Sequence, residues 1–152
     1  MNTKILLALI MIGILFACSK NTYNTKPTLL IKSLDKKFVK FDESLSIQLQ
    51  VTDKEGDVTD SLFLRKIFLN KKKTPLLAND SLHFKIPDAP NYSDGVVQVD
   101  LAYNNYLITA INPNGPGSVI YNDTIIFKFV LKDKANNVSD TVTTEPIVIE
   151  RR

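Results

Sequence analysis

Leu45-Ser46-Ile47-Gln48-Leu49-Gln50-Val51 alternates apolar and polar side chains without a break. Successive side chains of an extended strand point to opposite faces, so this period marks a strand with one buried face. The same period recurs on either side of it. Upstream, Leu29 and Ile31 begin a strand at Thr28. Downstream, Leu82, Phe84 and Ile86 alternate with His83 and Lys85, and Val97, Val99, Leu101 and Tyr103 alternate with Gln98 and Asp100. Ile125, Phe127, Phe129 and Leu131 repeat the pattern around Lys128 and Lys132. Leu62 to Leu69 reads as a strand apolar on both faces, and Leu107 to Ile111 as a further short strand. Val142 to Ile149 closes the chain, with Pro146 marking an edge strand or a bulge.

Turn residues separate these runs, at 53–60, 70–79, 87–95 and 112–122. No stretch beyond residue 18 carries a helical period. The expected fold is therefore all-β: a single antiparallel β-sandwich of seven to eight strands over residues 28–152.

The N-terminal stretch has a different character. Lys4 precedes the apolar run Ile5 to Ala17, which is shorter than the roughly twenty residues needed to cross a bilayer. It fits the apolar region of a secretory signal. Leu15-Phe16-Ala17-Cys18 then resembles the lipobox of a bacterial lipoprotein precursor, with Phe16 bulkier than the usual residue at its position. The resemblance implies cleavage after Ala17 and acylation of Cys18. Two or three acyl chains make a stable anchor, at about 0.8 kcal/mol per buried methylene. Residues 18–27 are then the lipidated cysteine and a polar tether. Cys18 is the sole cysteine, so the domain relies on its core and not on disulfides. Ser19, Lys20 and Asn21 lack the acidic residues that usually follow the cysteine in surface-exported Bacteroidota lipoproteins. That resemblance implies an outer-membrane protein facing the periplasm.

Two loops extend the resemblance. One runs Val51-Thr52-Asp53-Lys54-Glu55-Gly56-Asp57. The other runs from Leu131 through Asp133-Lys134-Ala135-Asn136-Asn137-Val138-Ser139-Asp140. The second is similar to the D-x-A-G-N-x-S turn of bacterial immunoglobulin-like and cadherin-like domains, with Asn136 where Gly is usual. Together with the lipobox, the chain resembles an immunoglobulin-like lipoprotein of the Bacteroidota type.

The candidate sites follow from the loops. In an immunoglobulin topology the B–C and F–G loops share one end of the sandwich. If these are those loops, Asp53, Glu55, Asp57, Asp133 and Asp140 would converge as hard oxygen ligands for calcium. Asp, Asn and Gly are equally the ordinary residues of turns. Four triplets pair Asp with a hydroxyl and an aliphatic residue, which places the hydroxyls at Ser61, Ser81, Thr124 and Thr141. They resemble the O-glycosylation consensus of Bacteroidota exported proteins, and they also describe how a loop enters a strand.

Catalytic signals are sparse. His83 is the only histidine, so any Ser-His-Asp arrangement would have to be built on it. A His/Cys zinc site has too few ligands. No P-loop or dinucleotide fingerprint is present. Lys and Arg number 19 against 16 Asp and Glu. Loss of Lys4 with the signal leaves an excess of two, too small to indicate a nucleic acid partner. The expectation is a non-catalytic binding or scaffold module at the membrane, partnered by another envelope protein. The alternative is a carbohydrate-capturing lipoprotein of a nutrient-uptake system. Tyr103 and Tyr106 are the pair that could give it a small exposed patch, but Tyr103 continues an inward register and packing in the core or at a strand edge is the expected role of both.

Overall fold

The computed structural model describes residues 26–58, 61–70, 80–87, 93–108 and 121–151. The expected signal, Cys18 and the expected tether up to residue 25 lie outside the described residues, as do Thr59, Asp60 and residues 109–120.

Two sheets pack face to face. Strands β1 (Thr28–Leu34), β3 (Leu45–Thr52) and β6 (Asp94–Leu101) form one, in the order β1-β3-β6. The other contains β2 (Phe38–Val39), β9 (Ile147–Ile149), β7 (Asp123–Lys132), β4 (Ser61–Phe68) and β5 (Ser81–Lys85), in the order β2-β9-β7-β4-β5. The short β8 (Val142–Thr143) also pairs with β7. The all-β sandwich expected from the alternation is what the chain forms, and its two packed sheets are consistent with the immunoglobulin-like form that the resemblance implied.

The alternating residues supply the core. Leu45, Ile47, Leu49 and Val51 of β3 are fully buried, as are Ile125, Phe127, Phe129 and Leu131 of β7. Phe127 and Phe129 pack with ring centroids 6.3 Å apart. Burying a large apolar side chain contributes about 1.5–3 kcal/mol, so these two strands anchor the sandwich.

The structure corrects the expected strand plan in four places. Nine strands occur among the described residues, because Phe38–Val39 adds one that its two-residue length hides from any period. That strand runs parallel to β9, so the sandwich is not wholly antiparallel. The segment from Val142 to Ile149 is two strands. At the break before Pro146, buried Thr144 accepts the Phe127 N–H through Oγ1 at 2.9 Å, so a side chain stands in for a ladder bond. Finally, Leu107 ends a π-helical turn, Tyr103–Leu107, and is not in a strand. Residues 109–111 of that expected strand lie outside the described residues.

Registers define two ends. At the first, Thr28 pairs with Thr52, Thr52 with Asp94, and Ser61 with both Lys85 and Lys132. The β3–β4 and β7–β8 connections leave there. At the second, Leu45 pairs with Leu101, Phe68 with Ile125, and Asp123 with Ile149.

Candidate functional site: an acidic cluster at the chain's point of arrival

At the first end the β3–β4 and β7–β8 loops meet. One carboxylate oxygen from each of Asp53, Asp57 and Asp133 lies within 4.8 Å of the others. Both loops are built by local hydrogen bonds. Asp53 follows β3 and its Oδ2 accepts the Asp57 N–H at 3.2 Å. Asp133 follows β7 and its Oδ1 accepts the Asn137 N–H at 2.7 Å, while its Oδ2 accepts Asn137 Nδ2 at 2.9 Å. A short carboxylate that caps its own turn is a standard use of Asp after a strand. Gly56 (φ 75°) and Asn136 (φ 69°) take the left-handed conformation these tight loops require. Asn tolerates that region, so it can serve where the turn it resembles carries Gly. The loops are joined by the Lys134 N–H donating to Asp57 O at 3.2 Å.

Asp53 and Asp133 are buried, and Asp57 is half-buried between them. A hydrogen bond that protonated Asp57 donates to Asp53, burial, and the charges of Asp133 and Asp53 push the Asp57 carboxyl up to about 6. Its Oδ1 is buried and has no hydrogen-bond partner. Converging carboxylates in a low-dielectric setting cannot all ionise cheaply, so the group holds a proton or gathers a cation.

The fold brings together three of the five acids expected at a calcium site. Glu55 is exposed beside the cluster and absent from it. Asp140 points away and pairs with Lys26 at 2.6 Å, because the loop turns back along β7 after Asp133. Val138 bridges to Lys132, and Ser139 bonds the Leu131 backbone through both N–H and Oγ. These bonds bury Ser139 and carry Asp140 to the rim.

The four hydroxyls of the Asp-containing triplets are distributed unequally. Ser81 and Thr141 are exposed, and Thr124 is half-buried in β7. Ser61 is 7% exposed, and its Oγ lies 2.9 Å from His83 Nε2. As an acceptor of glycan Ser61 is therefore not presented by the fold.

The Ser61–His83 contact was not legible in the sequence, since it needs the pairing of Phe63 with His83 across β4 and β5. A hydroxyl beside an imidazole is two-thirds of an acyl-transfer triad, whose third part is a carboxylate orienting the ring. No outward-facing position of β4, β5 or β7 is a carboxylate. The His83 ring instead stacks on Phe63, with centroids 4.9 Å apart and planes 14° from parallel.

The two tyrosines weighed as a sugar patch are used in packing, as their register suggested. Tyr103 is 3% exposed and its hydroxyl donates to Glu150 O at 2.5 Å. Tyr106 packs edge-on against Phe84.

A second charged cluster sits at the opposite end. Lys66, on the inner face of β4, is 3% exposed and donates from Nζ to Tyr106 O at 2.7 Å. Burial pushes its amine down to about 8, against the charges of Asp80 and Asp123 that hold it up. Asp123 pairs with Arg151, Oδ2 to Nη2 at 2.5 Å, and both side chains are less than a tenth exposed.

No family model matches the chain, and no curated protein matches it. Several solved structures align with most of the chain at low similarity. A β-glucosidase from Listeria innocua, solved with glucose, aligns with 84% of this chain at 11% identity and a TM-score of 0.41. The chain spans only 16% of that enzyme. A cohesin module from a family 33 glycoside hydrolase of Clostridium perfringens aligns over its whole length with 85% of this chain, at 12% identity and a TM-score of 0.39. A sporulation control protein of Bacillus subtilis aligns over half its length, at 9% identity and a TM-score of 0.35. No function transfers across likenesses of this size.

Proposed function

We propose that this chain is a non-catalytic binding or scaffold module held by a lipid on Cys18 to the periplasmic side of the outer membrane. The observation that supports it is where the chain arrives. Lys26 is clasped by Asp140, Pro27 is buried, and Thr28 pairs with Thr52 beside the acidic cluster. A tether from Cys18 would hold the domain by that end and leave both broad sheet faces open to a partner. The partner is another envelope protein. The test is crosslinking in cells of the tagged, lipidated chain, followed by mass spectrometry. One reproducible protein adduct is expected, and its absence overturns the reading. No described feature favours the carbohydrate alternative, since the two tyrosines it needed are taken up in packing.

Calcium is a separate proposal. Asp53, Asp57 and Asp133 would hold the ion, and the unpartnered Asp57 Oδ1 is the atom that suits it. The ion would supply the charge that otherwise must come from a proton. A thermal scan at pH 7 of the full chain with calcium, compared with chelator, should show a higher Tm. Equal values would remove the ion.

A further inference from the structure

Strand alternation sorts charge onto one face of this molecule in a way the near-neutral composition conceals. The outward positions of β5, β4 and β7 are Ser81, His83 and Lys85; Ser61, Phe63, Arg65 and Ile67; and Thr124, Ile126, Lys128, Val130 and Lys132. None is acidic. The registers arrange them in rows across the sheet. Lys85, Ser61 and Lys132 form the first row, and His83, Phe63 and Val130 the second. Ser81, Arg65 and Lys128 form the third, and Ile67 and Ile126 the fourth. Cationic and apolar rows therefore alternate along the strands, about 6.6 Å apart.

Arg65 and Lys128 are directly opposed and both exposed. Like charges opposite one another on neighbouring strands destabilise a sheet. Among the described outward positions of these three strands there is no carboxylate to relieve them. Phe63 beside them keeps 41% of its surface exposed.

The outer face of the three-stranded sheet is the contrast. Its polar groups satisfy one another. Gln50 donates to Asp94 at 2.5 Å, Gln98 to Asp100 at 3.1 Å and Ser33 to Gln48 at 3.2 Å, and Ser46 bonds Asp100.

We propose that the β5-β4-β7 face docks an acidic protein segment whose inward residues alternate carboxylate and apolar side chain. This rests on the binding-module reading and names the surface and the partner chemistry. A carboxylate set between Arg65 and Lys128 removes their repulsion and gains charge-assisted bonds. An apolar residue beside it covers Phe63. Phe63 and His83 stack on each other, which takes up one ring face of each and leaves less π-surface for a base or a pyranose. An apolar centre holding an aromatic and an Arg, with Lys at its edge, is the composition of a protein interface.

The test uses the full lipidated chain in detergent micelles and a labelled peptide of sequence Glu-Thr-Leu-Thr-Glu-Thr-Leu-Thr, read by fluorescence anisotropy. Binding is expected, weakening several-fold as salt rises from about 50 to 300 mM. Arg65→Glu with Lys128→Glu should lose at least tenfold in affinity, and Phe63→Ala several-fold. Arg65→Gln with Lys128→Gln gives the same ordering, should the reversal disturb folding. Gln48→Glu with Gln98→Glu, on the other face, should change binding less than twofold. Absence of binding overturns the proposal, and so does equal loss from both faces. Poly-glutamate binding as tightly, without dependence on Phe63, reduces the effect to bulk charge and also overturns it. Vesicles containing phosphatidylglycerol bound in preference to the peptide make the face a membrane surface instead. If the peptide fails while a protein adduct still forms in cells, this surface is wrong and the module reading stands. If no adduct forms either, both fall.

Discussion

The two ends of the sandwich bury charge in opposite ways. At the end where the chain arrives, Asp53, Asp57 and Asp133 put three like charges together, and the conflict falls on Asp57, whose carboxyl is pushed up to about 6. At the far end Lys66, Arg151, Asp123 and Asp80 mix the two signs, and burial of Lys66 is the main cost. Charges that balance can be buried as a fixed part of a fold. Charges that do not balance leave an opening for a proton or an ion, and so the first end is where a ligand can act.

The largest expected effect tests whether the far end is structural. Arg151→Ala removes the guanidinium paired with buried Asp123 and leaves only the more distant Lys66 charge near it. Breaking a buried pair from one side costs about 3–5 kcal/mol. Urea unfolding of the variant should show that loss in full. A loss below about 1 kcal/mol would mean that water reaches Asp123, and the two ends would no longer differ in kind.

How much of this was readable in advance depends on the range of the interaction. The core positions of β3 and β7 follow from a local period of two, so Leu45 and Phe127 were legible at once. The meeting of Asp53 and Asp133 was legible only through the loop resemblance, because nothing local says which loops share an end. The π-helical turn at Tyr103 to Leu107 was not legible because five residues are too few to establish a period, even though Tyr103, Tyr106 and Leu107 stand at the i, i+3 and i+4 spacing of a helix. Lys66 was missed for a related reason. A run apolar on both faces gives no parity, so its inward side was unassigned until Lys66 was seen opposite Phe127. The basic face was hidden because charge summed along a chain is silent about which side of a sheet each residue takes.

The second prediction concerns pH at the far end. The native state lowers the Lys66 amine from 10.5 to about 8, so it prefers the neutral form. The penalty is complete below pH 8 and disappears as pH rises toward 10.5, where the unfolded chain also loses the proton. Stability should climb across that window, by roughly 2–3 kcal/mol if Lys66 remains as buried as it is. Lys66→Met removes the climb. Denaturant midpoints at pH 7, 9 and 10.5 for both proteins measure it. An equal climb in the variant would assign the effect elsewhere.

The smallest effect is the one that sharpens the contrast most. Asp57 has its carboxyl raised from 3.8 to about 6, so the native state holds that proton more tightly than the unfolded chain does. Stability from this group is greatest below pH 3.8, falls as pH rises through 6, and is flat above. Asp57→Asn has no proton to lose. In chelator it should match the parent near pH 4 and exceed it by a few degrees of Tm at pH 7. Solvent reaches this half-buried group, which keeps the difference small. Calcium should reverse the order at pH 7, because the parent regains a counter-charge and the variant has lost a ligand. A variant that gains in chelator and is still ahead in calcium would mean the three aspartates share a proton and nothing more. A variant that never gains would mean the carboxylates are far enough apart in solution to ionise freely, and the first end would be as settled as the second.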